Sequence, residues 1–83
     1  MSNQRLILKG KQQELKDQRR KLGFKAEALM ESITNDLALY KVTKLTDIDT
    51  ESIMYAAEEL HKIHTHAVEL DNNIAEIEAE LNG

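Results

Sequence analysis

From Ile53 onward the apolar residues fall at Ile53, Ala56, Leu60, Ile63, Ala67, Leu70, Ile74, Ile77 and Leu81, spaced alternately by three and four without a miss. Nothing else in the chain restricts its fold so strongly. Such spacing lines one narrow seam of an α-helix, whereas a strand would scatter the same residues over both faces. The pattern predicts a helix over 50–82. Asp47, Asp49 or Thr50 can accept hydrogen bonds from its first free amides, Glu51 suits the positive end of its dipole, and Gly83 supplies a stop. At 1.5 Å per residue the helix is about 48 Å long.

The first half repeats Leu8, Leu15, Leu22 and Leu29 every seven residues, with Gln12, Arg19, Ala26, Ile33 and Tyr40 four residues after each leucine or in continuation of that series. This seam is half polar near its start and apolar from Leu22, and Met30 and Leu37 widen it. The reading is a helix over 3–41. Gly10 and Gly23 each cost on the order of 1 kcal/mol relative to alanine inside a helix. Gly23 is a candidate for a kink or a close helix–helix approach, and Gly10 for fraying. Residues 42–49 form a link whose β-branched residues and aspartates disfavour helix. So short a link admits only an antiparallel neighbour, and Leu45 and Ile48 are expected to cover the hairpin end. The whole chain, 1–83, therefore reads as one all-α domain, an antiparallel two-helix coiled-coil hairpin. Its core candidates are Leu22, Leu29, Ile33, Tyr40, Ile53, Leu60, Ile63, Leu70, Ile74 and Ile77.

Charge supports the same topology. Residues 1–44 carry ten Lys/Arg against five Asp/Glu, and residues 45–83 one Lys against ten Asp/Glu. Folding back sets the basic stretch 5–25 beside the acidic stretch 69–80. Exposed pairs contribute only about 0–1 kcal/mol each, but their pattern selects register and orientation.

A two-helix hairpin buries only one seam, and aromatic residues make up just 4% of the chain. No cysteine is present to staple so small a core. Met30, Leu37, Leu39, Met54, Tyr55 and Val68 are left over toward the loop end. A homodimer that buries them as a four-helix bundle is the expected state. A foreign partner on the same end is the competitor, with Leu37, Leu39, Val42, Leu45, Met54 and Tyr55 as the candidate surface.

Chemistry is sparse in the sequence. Glu58 and His61 have the Glu-x-x-His spacing that places two metal ligands on one helical face, and His64 follows one turn later. However, Glu58 and His61 fall on the outer face of the heptad, so neither a metal nor another cofactor is expected. His64 and His66 flank the seam, where imidazoles can respond to pH. Ser2, Ser32 and Ser52 lie in no nucleophile motif and no glycine-rich phosphate loop occurs, so catalysis is not expected. Lys16, Arg19, Arg20, Lys21 and Lys25 form a basic patch that could contact nucleic-acid phosphates. The acidic second half and the want of stacking aromatics argue against it. No apolar run reaches membrane-spanning length and no secretory h-region opens the chain, which leads to the expectation of a cytoplasmic protein.

The basic, glutamine-rich first helix, the TDIDTESI turn and the AAEELHKIHTHAVELDNNIAEIEAEL helix ending in Asn-Gly resemble the small helical-hairpin proteins of unknown function in Mu-like bacteriophages and prophages. That resemblance implies a bacterial or viral cytoplasmic setting. The functional expectation for the chain is a non-catalytic protein–protein interaction module, and the resemblance makes it an accessory protein engaging a host factor such as a defence component. The alternatives are a nucleic-acid-binding accessory protein and a purely structural homo-oligomerisation module.

Overall fold

The computed structural model describes residues 2–38 and 42–83. Among the described residues two helices, α1 (Ser2–Ala38) and α2 (Thr50–Asn82), pack against each other, with a 3-10 turn at Leu45–Asp47 before α2. No strand occurs among the described residues. The remainder of the helix read over 3–41, including the core candidate Tyr40 and the surface candidate Leu39, lies outside the described residues.

The caps follow from local chemistry. Asp49 is the N-cap of α2, its carboxylate accepting the Ser52 amide at 3.0 Å, so of the three cap candidates it is Asp49 that satisfies a free donor. At the far end the Gly83 amide donates to the Ala79 carbonyl at 2.9 Å. The Arg5 guanidinium donates to the Leu81 carbonyl at 3.0 Å. A cation in the first turn of α1 opposes that helix's own dipole, yet here it serves the negative end of α2.

The core is the seam. Leu70, Ile77 and Ala56 are buried, and Leu22, Leu29, Ile33, Ile53, Leu60, Ile63 and Ile74 are half-buried along it. Ala56 is only 5% exposed although its short side chain offers little area to bury.

Two expectations are corrected. Leu45 does not cover the hairpin end: it is 84% exposed, and Ile48 alone of the pair turns inward. Gly23 marks no close helix–helix approach, because a Cβ there would meet only the Arg19 guanidinium, at 3.7 Å. α1 runs through both Gly10 and Gly23 as one helix.

Candidate partner-binding face

Polar seam residues of α1 find acidic partners on one flank of α2. Gln12 donates to the Glu78 carboxylate at 3.1 Å, and Lys16 reaches the same carboxylate at 3.3 Å. Arg19 bonds the Asp71 carboxylate at 3.0 Å. Lys16, Asp71, Glu78 and the half-buried Arg19 therefore share one side of the hairpin, and the charged stretches lie alongside each other as the charge pattern predicts.

Continuing along that side toward the loop end, the flank turns apolar. A groove of about 320 Å³ opens between the helices, with Leu22, Gly23, Ala26, Met30, Leu60, Ile63, His64 and Ala67 in its walls. Small side chains at Gly23, Ala26 and Ala67 leave the space. Leu37 stands one heptad beyond Met30 on α1, while Met54, His61 and Val68 form a heptad-spaced strip of α2 next to His64. Met30 is 47% exposed, Leu37 52%, Met54 62% and Val68 46%. On the opposite side, nearer the termini, a groove has Lys11, Asn73, Glu76 and Glu80 in its walls beside Leu8, Leu15 and Ile77.

The surface candidates read from the sequence do not make one patch. Leu37 and Met54 belong to the groove face. Tyr55, though exposed, lies about 100° around α2 from Met54 and faces the opposite side. Val42 and Leu45 project from the hairpin end. Sequence reasoning missed Gly23 and Ala26 as groove formers, and only the pairing of flanks across two helices could have revealed them.

The other candidates are placed as follows. Of the basic patch, Lys16 and Arg19 bridge to α2, and Arg20 lies 3.5 Å from Asp17 on its own helix. Lys21 and Lys25 are exposed on α1. The His61 and His64 rings stack with centroids 6.5 Å apart and planes 14° from parallel, and Glu58 is exposed one turn before them. Among the described residues no group of three or more His, Asp or Glu is arranged to hold a metal ion. At the hairpin end, Asp36, Asp47 and Asp49 share a small cavity of about 110 Å³ with Ile48 and Ile53. No described helix is long and apolar enough to cross a membrane.

No protein family, curated protein or solved structure matches the chain.

Proposed function

We propose that this chain is a non-catalytic protein–protein interaction module whose working surface is the groove face. The observation that carries this reading is the grouping of exposed apolar side chains around the groove. Met30, Leu37, Met54 and Val68 lie on one side of the hairpin around an open apolar groove, while Ile7, Phe24 and Tyr55 are exposed singly on other faces. Apolar surface gathered in this way marks an interface rather than the ordinary scatter of exposed hydrophobics. The phage resemblance adds a setting to this reading, an accessory protein acting on a bacterial host factor, and rests on helical texture and the TDIDTESI turn alone. Phosphate binding by Lys16–Lys25 is the weaker reading, because Lys16, Arg19 and Arg20 already have carboxylate neighbours.

The test is a comparison of the native chain with a Leu37→Glu/Met54→Glu variant. Light scattering should record self-association of the native chain, or affinity capture from a bacterial lysate a retained protein, and the variant should lose that association while remaining helical by circular dichroism. A variant that matches the native chain in both assays would remove the face from consideration.

A further inference from the structure

We infer that the groove face is covered by a second copy of this chain, stacked so that both hairpin ends lie at the same pole of a four-helix bundle. The inference rests on the interaction-module reading and names its occupant. Surface area is the first support. The chain exposes 6713 Å², whereas a folded monomer of its mass, 9.5 kDa, exposes about 5,000 Å². The surplus is about twice the roughly 800 Å² that each partner contributes to a standard interface. A hairpin 65 Å long and 15 Å wide is best covered along its length by an object of the same shape, and another copy has that shape.

Charge decides the orientation. Along the groove face, the half nearer the loop carries Met30, Leu37 and Met54, with Glu27 and Thr34 beside Met30, and the half nearer the termini carries Lys16 and Arg20 on α1 with Asp71 and Glu78 on α2, and Leu6 near the start of α1. A two-fold axis parallel to the hairpin lays α1 of each copy beside α2 of the other. The halves richer in apolar side chains then meet, and Lys16 and Arg20 come level with the partner's Asp71 and Glu78, which already hold Arg19 and Lys16 within their own copy. The opposite stacking would press Met30 and Leu37 onto those charges and strip them of water, which is costly without new partners.

The chain has no cysteine, so Thr46→Cys in the exposed 3-10 turn gives one spin-label site per copy in an otherwise native face. Sedimentation at tens of micromolar should give a dimer, and the label-to-label distance should match the width of a bundle. Met30→Glu should weaken association at least tenfold, whereas Phe24→Glu, on the back of α1, should leave it unchanged. Labels separated by close to the hairpin's length would overturn the orientation. A dimer indifferent to Met30→Glu would overturn the face. A monomer at all concentrations would overturn the second copy as occupant; the interaction-module reading would survive that result if Leu37→Glu/Met54→Glu still abolished capture of a lysate protein, and would fall if it did not.

Discussion

Leu70, at 3% exposure the least accessible side chain described, sits one heptad from Ile77, and Asp71 beside it holds Arg19. Truncating a buried leucine removes its transfer free energy and leaves a void, about 2–5 kcal/mol together. In a chain with so thin a core, Leu70→Ala should abolish the cooperative thermal transition followed by circular dichroism; a melt within a few degrees of the native one would contradict the seam. Gly10 lies mid-helix, and a methyl group added there would meet no neighbouring atom within 4 Å, so Gly10→Ala adds helix propensity without a clash. It should stabilise by about 0.5–1 kcal/mol, read as a rise in melting temperature of several degrees.

The two helices differ in how much of them their residues declare. In α2 the heptad is unbroken and Asp49 supplies a side-chain cap, so both period and start are written locally. Asp49→Ala should cost about 1 kcal/mol, measurable as a lower chemical-denaturation midpoint with an unchanged slope; no shift would mean that the cap is idle. In α1, Gln12 and Arg19 interrupt the seam, and only the fold-back explains them, because their partners Glu78 and Asp71 lie on the other arm. Leu45 was beyond the reach of periodicity, since a link residue obeys no helical period. Gly23 was ambiguous for a different reason: a glycine in a helix signals equally a tight crossing, a groove or nothing, and here it helps to form a groove. The exposed apolar residues were legible one by one. Their division between two sides, with Met54 on one and Tyr55 on the other, became visible only when Lys16, Arg19, Asp71 and Glu78 fixed which flanks coincide.

At the scale of the molecule the hairpin is a rod, with a radius of gyration of 18.9 Å against about 12 Å for a compact chain of this length. Small-angle scattering should return a value near the rod's at high dilution and only a slightly larger one in a side-by-side dimer, which adds girth rather than length; a value near 12 Å would rule out the extended hairpin. The hydrophilic rungs have a consequence for alignment. A ladder of interchangeable aliphatic rungs could settle at several offsets. Slide α2 by one heptad so that His64 takes Asp71's place, and Arg19 trades a carboxylate for an imidazole; slide it a heptad the other way and Glu78 moves to Arg19, leaving Gln12 and Lys16 beyond the end of α2. The two arms thus carry a vernier, and one of its settings is distinguishable from the rest.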